Sequence, residues 1–166
     1  MLDFLNKKFL INFFLIIIIF SVDRISKIYV ISQSEKNLFN DLFQSKFLNI
    51  SLIWNEGIAF GLLSFERNQF YNILTFLILI VVILIFYMVL RSKGLKKYSL
   101  LMILGGALGN LYDRIFFKAV PDFIDFHIGN FHWFIFNVSD IFITIGVLIM
   151  IILELTDNNK INNEKF

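Results

Sequence analysis

Four long apolar runs constrain this chain more than any other feature of its sequence. They cover residues 9–30, 70–90, 98–116 and 134–153, and each is close to the roughly 20 residues that a helix needs to cross a bilayer. Hydrophobic residues make up 58% of the 166 residues, and the mean hydropathy is +0.76. A soluble domain of this size cannot cover so much apolar surface. The sequence therefore predicts an all-α integral membrane protein, with four transmembrane helices in a single domain that spans residues 1–166.

Basic residues at the ends of these runs predict the orientation of the helices. They precede helix 1, fill the short link between helices 2 and 3, and follow helix 4: Lys7, Lys8, Arg91, Lys93, Lys96, Lys97, Lys160 and Lys165. Because such residues stay on the cytoplasmic side, we expect both termini in the cytoplasm and two outer loops, at about residues 32–69 and 117–133. Apolar and polar residues alternate from Leu48 to Asn55 except at Ile53, which is the period of a strand. The first outer loop is therefore expected to form a small β-containing subdomain outside the cytoplasm.

Composition excludes several kinds of site. The chain has no cysteine, so it contains neither disulfides nor thiolate ligands. Its net charge is only +2 and forms no basic stripe, which argues against a nucleic-acid partner. The two histidines, His127 and His132, lie in the second outer loop without an HExxH arrangement or an adjacent pair of acidic ligands. We therefore predict no metal and no cofactor, and we interpret the two imidazole rings as interfacial.

Three carboxylates on different helices are predicted to lie at one depth. Asp23, Asp113 and Asp140 are each about 15 residues from the charged residue at the cytoplasmic end of their helix, which corresponds to roughly 21 to 24 Å of helix. That height lies just below the outer edge of a hydrocarbon core of about 30 Å. We therefore expect a cluster of acidic side chains near the outer leaflet.

Polar residues on each helix are spaced so that they share one face. The intervals of three or four residues occur within three sets: Asp23 and Lys27; Asn110, Asp113 and Arg114; Asn137 and Asp140. A charged side chain turned toward lipid costs at least ~2.5–3.5 kcal/mol, so these faces are expected to point into the helix bundle. Gly105 and Gly109 form a small-xxx-small pair, which predicts that helix 3 packs closely against a neighbour.

Structural roles compete with functional roles at several of these positions. Asp23 and Lys27 have the spacing and the order of a favoured intrahelical ion pair, which explains them as well as a functional site does. For Asp113 and Arg114, an ion pair is the slightly preferred explanation. A functional reading of either pair therefore needs further evidence.

Carboxylate is the only abundant catalytic group at the predicted depth. Ser26 and Lys27 are sequence neighbours that point apart on a helix, so a Ser–Lys nucleophile is poorly supported. Two carboxylates in a low-dielectric site cannot both ionise, so one keeps a proton while the other activates water for attack on a carbonyl. This is the chemistry of an aspartic peptidase. The residues themselves leave the pair open among four aspartates: Asp113, Asp122, Asp125 and Asp140.

Two of these aspartates have distinctive surroundings. Pro121, the only proline, disfavours helical geometry at Val120. We therefore expect Asp122 on an extended segment that folds back over the bundle. Asp140 has no cation on its own helical face, so its partner is expected to come from another element.

Five short motifs occur along the chain, in the order VDRISK, NEGIAFG, GGALGNLYDR, VPDFIDF and FNVSD. Together they resemble the motifs of the bacterial lipoprotein signal peptidases, also called signal peptidase II, over essentially the whole chain. The third motif matches in full. The resemblance implies a membrane aspartic endopeptidase that removes the signal peptide from diacylglyceryl-modified prolipoproteins by cleaving before the lipidated cysteine. It also implies a location in the bacterial cytoplasmic membrane.

The resemblance assigns roles to individual residues. It implies that Asp122 and Asp140 are the catalytic pair. Eight further positions match the family's supporting or substrate-contacting residues: Asp23, Lys27, Asn55, Gly57, Asn110, Asp113, Arg114 and Asn137. The expected partners are lipid-modified prolipoproteins and membrane lipids, and the enzyme itself is expected to be a monomer.

Two other functions stay open on the sequence alone. A small four-helix transporter or multidrug exporter also carries charge in its helices, although such proteins usually place one essential acid near the midplane and have short loops on both sides. Proton-coupled uptake that is insensitive to changes at Asp122 would favour a transporter. A catalytically inert relative would bind lipoproteins without cleaving them.

Overall fold

The computed structural model describes residues 7–36, 41–57 and 68–163. In this part of the chain, four helices and four strands follow one another in the order α1 (Lys7–Lys36), β1 (Asp41–Gln44), β2 (Leu48–Asn55), α2 (Asn68–Arg91), α3 (Gly94–Phe116), β3 (Val120–Ile128), β4 (Phe131–Phe136) and α4 (Val138–Asn163). The second sequence motif is described only as far as Gly57, and its remaining residues lie outside the described ranges.

Three of the helices are long and apolar enough to cross a membrane. These spans are Lys7–Lys36, Tyr71–Arg91 and Val138–Thr156. Large apolar side chains point outward from them, as Phe76 and Leu90 do with 61% and 62% of their surface exposed. A bilayer covers such surfaces, whereas water does not. The chain is therefore a membrane protein, and the fourth predicted span, α3, stays a prediction because this helix carries more charge.

Helix α3 lies at the centre of the bundle, in contact with α1, α2 and α4. Its leucines form an apolar core with side chains from α2: Val82, Val89, Leu100, Leu101, Leu104 and Leu111. Toward the other two helices α3 presents glycines. A Cβ atom on Gly106 would lie 2.5 Å from the carbonyl oxygen of Ser139 in α4, and one on Gly105 would lie 2.9 Å from Ile19 Cγ2 in α1. The close packing predicted for this helix is thus confirmed, and it is what allows polar side chains of three helices to meet.

The four strands form one antiparallel sheet with the order β1-β2-β3-β4. The strand predicted from Leu48 to Asn55 is β2. The extended segment predicted around Pro121 is also confirmed, because Pro121 is the second residue of β3. In the β2–β3 register, Asn55 lies opposite Val120 and Ile53 lies opposite Asp122. The sheet thereby fixes Asp122 relative to the end of β2.

The predicted start of helix 4 at residue 134 is wrong. Residues 134–136 belong to β4, where Phe136 pairs with Ile124 of β3, and α4 begins at Val138. An apolar aromatic run fits a strand as well as a helix, so periodicity alone could not separate the two. The second outer loop, expected at 117–133, contains β3 and the first half of β4. At their other ends α1 and α4 run beyond the predicted limits, to Lys36 and Asn163.

We expect Gly106→Ala to destabilise the protein by about 1–3 kcal/mol, the usual range for overpacking a filled interface. The added methyl group would meet the backbone carbonyl of Ser139, which cannot rotate away. Gly105→Ala is the matched variant and should cost less, because its methyl group meets the side chain of Ile19. Unfolding of the purified protein in mixed micelles measures both changes, and an equal or smaller loss for Gly106→Ala would contradict this account of the α3–α4 contact.

Candidate active site

Two acidic and two basic side chains form a buried charge cluster between α1 and α3, consisting of Asp23, Arg24, Lys27 and Asp113. The ammonium group of Lys27 lies 2.7 Å from Asp113 Oδ2 and 3.0 Å from Asp23 Oδ2. The guanidinium group of Arg24 contacts the same two carboxylates, at 3.0 Å from Asp23 and 2.5 Å from Asp113. The side chains of Lys27 and both acids are fully buried. Two negative charges thus face two positive charges, as burial of ionised groups requires.

The intrahelical ion pair predicted between Asp23 and Lys27 is confirmed. The ion pair considered between Asp113 and Arg114 is wrong, because the two side chains contact different partners. Asp113 turns toward α1, whereas Arg114 donates hydrogen bonds to the carbonyl oxygens of Asn110 and Gly57, both at 3.2 Å.

Arg24 was not among the predicted site residues. Its neighbour Asp23 and the distant Asp113 share a buried cluster in which Lys27 can neutralise only one of them. A count of the charges in the predicted membrane segments would have indicated that a second base was needed, and Arg24 follows Asp23 directly.

Asn110 connects the charge cluster to Asp140. Its side-chain oxygen accepts a hydrogen bond of 2.8 Å from Lys27 Nζ, and its amide nitrogen donates one of 2.8 Å to Asp140 Oδ1. The cation therefore determines which end of the amide faces Asp140. The partner that Asp140 was expected to find on another element is Asn110 of α3.

Asn137 holds the second oxygen of Asp140 through a reciprocal pair of hydrogen bonds at the start of α4. The backbone N–H of Asn137 donates to Asp140 Oδ2 at 3.1 Å, and the backbone N–H of Asp140 donates to Asn137 Oδ1 at 3.2 Å. This is the arrangement of a capping box, in which a residue just before a helix and the third residue of the helix satisfy each other's backbone N–H groups. It explains why α4 begins at Val138, and it fixes the carboxylate of Asp140.

Asp122 is held by two amides from different elements. Asn137 Nδ2 donates to its Oδ1 at 2.6 Å, and Asn55 Nδ2 donates to its Oδ2 at 2.9 Å. Asn55 is in turn oriented by the backbone N–H of Gly57, which donates to its side-chain oxygen at 2.9 Å. Asn137 thus contacts both Asp122 and Asp140, and all four oxygens of the two carboxylates accept a hydrogen bond.

Asp122 and Asp140 face one cavity of about 280 Å³ at the junction of the sheet and the bundle. Its lining combines polar and apolar side chains: Asn55, Asn110, Arg114, Val120, Asp122, Phe134, Ile135, Asn137, Asp140, Ile143 and Thr144. The other two candidate acids do not line it. Asp113 lies in the charge cluster, and Asp125 is 2.8 Å from Nδ1 of His132. Among the four aspartates left open by the sequence, this cavity therefore brings together Asp122 and Asp140.

Burial raises the pKa of Asp122 to about 6. The charge of Asp140 acts in the same direction, while the hydrogen bonds from Asn55 and Asn137 and the charge of Lys27 act against it. Desolvation and a neighbouring carboxylate both favour the neutral acid. A proton is consequently retained at this pair at a pH where an ordinary aspartate has lost it.

The chain matches a family model described as signal peptidase (SPase) II over residues 15–156. It is 48% identical to a protein of Pelagibacter ubique (strain HTCC1062) named lipoprotein signal peptidase, with 96% of each chain covered. It is 34% identical to a protein of the same name from Anaplasma phagocytophilum (strain HZ), over 94% of this chain and 99% of that one. A solved bacterial membrane enzyme superimposes with a TM-score of 0.71 at 32% identity, with 90% of both chains covered.

We expect Lys27→Met to destabilise the protein by about 3–5 kcal/mol, which is typical when one partner of a buried ion pair is removed. The substitution keeps the length of the side chain but leaves Asp23 and Asp113 with Arg24 as their only base in the charge cluster. Lys96→Met, at an exposed position of α3, is the matched control and should change the stability little. Equal unfolding midpoints for the two variants in the same micelles would show that the cluster does not hold α1 against α3.

Proposed function

The chain belongs to the signal peptidase II family, and on that premise we propose that Asp122 and Asp140 are the catalytic pair of an aspartic endopeptidase. Members of this family are proteases that remove signal peptides from lipoproteins, and this chain does so as well. The observation that carries the assignment of the pair is the position of Asn137, whose side chain donates to Asp122 and whose backbone donates to Asp140 beside one cavity.

The proposed reaction begins with one proton shared by the two carboxyl groups. The protonated carboxyl group donates a hydrogen bond to the scissile carbonyl oxygen, and the ionised one removes a proton from a water molecule. The water oxygen bonds to the carbonyl carbon, and a tetrahedral intermediate forms. When the C–N bond breaks, the leaving nitrogen takes a proton from the pair. Because the two acids titrate as a unit, the roles of acid and base belong to the pair.

The supporting residues hold this pair without reacting. Asn55 and Asn137 orient Asp122, and Asn110 orients Asp140. The charge cluster fixes Asn110 through Lys27. Arg114 donates to the carbonyl oxygen of Gly57, which supports a role in holding the end of the β2 segment beside the cavity.

The proposed substrate is a prolipoprotein whose cysteine carries diacylglycerol, cut on the amino side of that cysteine. Such a lipid anchor holds the scissile bond at the membrane surface. The basic residues between α2 and α3 and at the two ends of the chain support a cytoplasmic location for these segments. With α3 as a fourth span, the cavity then opens near the outer leaflet of the bacterial cytoplasmic membrane. We propose that the enzyme works there as a monomer, in contact with membrane lipids.

Asp122→Asn and Asp140→Asn are each expected to lower the rate of cleavage by at least roughly a hundredfold, the lower end of what general acid–base catalysis contributes. An amide keeps the shape of the carboxyl group but cannot exchange the shared proton. The assay follows release of the signal peptide from a diacylglyceryl-modified model prolipoprotein. Glu154→Gln, at an exposed position on the same helix as Asp140, should retain the wild-type rate.

Cleavage that continues in a folded Asp140→Asn protein would refute the catalytic pair. Retained binding of the model prolipoprotein without any cleavage by the wild-type chain would instead identify an inert relative. These two outcomes are separable because the first concerns the variant alone and the second concerns the wild type.

The pH dependence of kcat/KM is expected to report the proton on Asp122. Since its pKa is raised to about 6, the proton-sharing form is populated below this pH, and the rate should fall as the pH rises above it. Asn55→Ala removes a hydrogen bond that favours the ionised carboxylate, so the midpoint of the fall should move to higher pH. Asn49→Ala, on the same strand but opposite Asp125, should leave the midpoint in place. A midpoint that moves to lower pH in Asn55→Ala would contradict the assignment.

A further inference from the structure

The β3–β4 hairpin brings both histidines of the chain together. His127 lies directly opposite His132 in the strand register. Their rings stack with centroids 5.0 Å apart and planes inclined by 22°. Side chains of directly paired residues project from the same face of a sheet, so the two imidazoles face the same space.

Asp125 joins the two histidines on this face. It lies two residues before His127 on β3, and its carboxylate is 2.8 Å from Nδ1 of His132. One carboxylate oxygen of Asp125 and one ring nitrogen of each histidine lie within 4.8 Å of one another. Ligands bound to one tetrahedral zinc ion at about 2.0–2.2 Å are separated by roughly 3.4 Å, so small rotations of the side chains would close the group around an ion.

The burial of the three side chains fits a metal site with one buried ligand and one side open to solvent. Asp125 is buried at 5% exposure, while the side chain of His132 is 53% exposed. Nδ1 of His127 is buried, and no described residue forms a hydrogen bond with it. In the tautomer that leaves this nitrogen unprotonated, its lone pair is a free ligand position.

We propose that Asp125, His127 and His132 bind one divalent transition-metal ion of the zinc type. Two imidazoles and one carboxylate are a ligand set that suits Zn²⁺, whereas Mg²⁺ and Ca²⁺ prefer oxygen ligands. Three protein ligands leave a fourth position for water. The bound ion would link β3 to β4 three residues beyond Asp122. The proposal departs from the prediction that the chain has no metal site, in which Asp125 and the histidines were treated as separate features.

This proposal stands apart from the peptidase assignment. None of its three residues lines the cavity that contains Asp122 and Asp140. Binding of the metal ion can therefore be measured without reference to peptide cleavage, and either proposal can fail while the other holds.

The test is calorimetric titration of the full-length protein with Zn²⁺ in detergent, after treatment with a chelator and without a polyhistidine tag. One equivalent is expected to bind, and Mg²⁺ at the same concentration is not. His127→Gln and His132→Gln should each weaken binding by at least about tenfold. Asp140→Asn, which removes a carboxylate of the proposed catalytic pair, should bind Zn²⁺ as the wild type does. Co²⁺ in place of Zn²⁺ should give the visible absorption of a tetrahedral site in the wild type and lose it in His127→Gln.

His127→Gln is the decisive variant because it leaves the contact between Asp125 and His132 in place, and circular dichroism verifies that the variant is folded. The proposal is overturned if the wild type takes up no Zn²⁺ at millimolar concentration, or if folded His127→Gln binds it unchanged. Loss of binding in Asp140→Asn alone would overturn it too, since the ion would then belong to the cavity.

Discussion

The buried ammonium group of Lys27 is the constraint on which the rest of this structure depends. An isolated cation inside an apolar bundle is too costly to retain, so Lys27 lies between Asp23 of its own helix and Asp113 of α3. These contacts fix α1 against α3 in one register. Lys27 also donates a hydrogen bond to Asn110, and Asn110 donates one to Asp140, which positions α4 relative to the other two helices. One charge thereby relates three helices, and the glycines of α3 bring their backbones close enough for it to do so.

The sheet contributes the other carboxylate of the same site. Asn137 lies between β4 and α4 and caps α4, and its side chain also holds Asp122 of β3. The contacts that begin the helix are therefore the contacts that orient the proposed catalytic pair. Asp140 is positioned by the bundle and Asp122 by the sheet, so the site is complete only when the sheet is seated on the bundle. A cavity assembled in this way places its carboxylates precisely enough for a reaction that needs both of them.

The sequence predicted the elements that depend on local pattern and missed those that depend on pairing across the fold. The strand at Leu48–Asn55 and the extended segment at Pro121 follow from periodicity and proline stereochemistry, and both are confirmed. Each of the four apolar runs contains most of one helix, and three of these helices are long and apolar enough to cross a membrane. The start of α4 was misplaced because an aromatic run fits two periods, although Asn137 and Asp140 carried the spacing of a capping box. The partner of Asp113 was misassigned because Arg24 is 89 residues away in sequence. The grouping of Asp125 with the histidines required a strand register that no local pattern specifies.

The four acids of the charge cluster and of the proposed catalytic pair are of two kinds, distinguished by what contacts them. Asp23 and Asp113 contact cations, whereas the hydrogen bonds to Asp122 and Asp140 come from amides. An amide satisfies a carboxylate oxygen without supplying a full positive charge, so it orients the acid and leaves its proton exchangeable. A base placed in direct contact with this pair would favour two ionised carboxylates, and such a pair has no proton to give to a carbonyl oxygen. A cation can therefore orient this pair without ionising it when another side chain lies between them. Lys27 acts on Asp140 in this way, through Asn110. This separation lets a membrane bundle be held together by charge while its proposed catalytic acids remain free to exchange a proton.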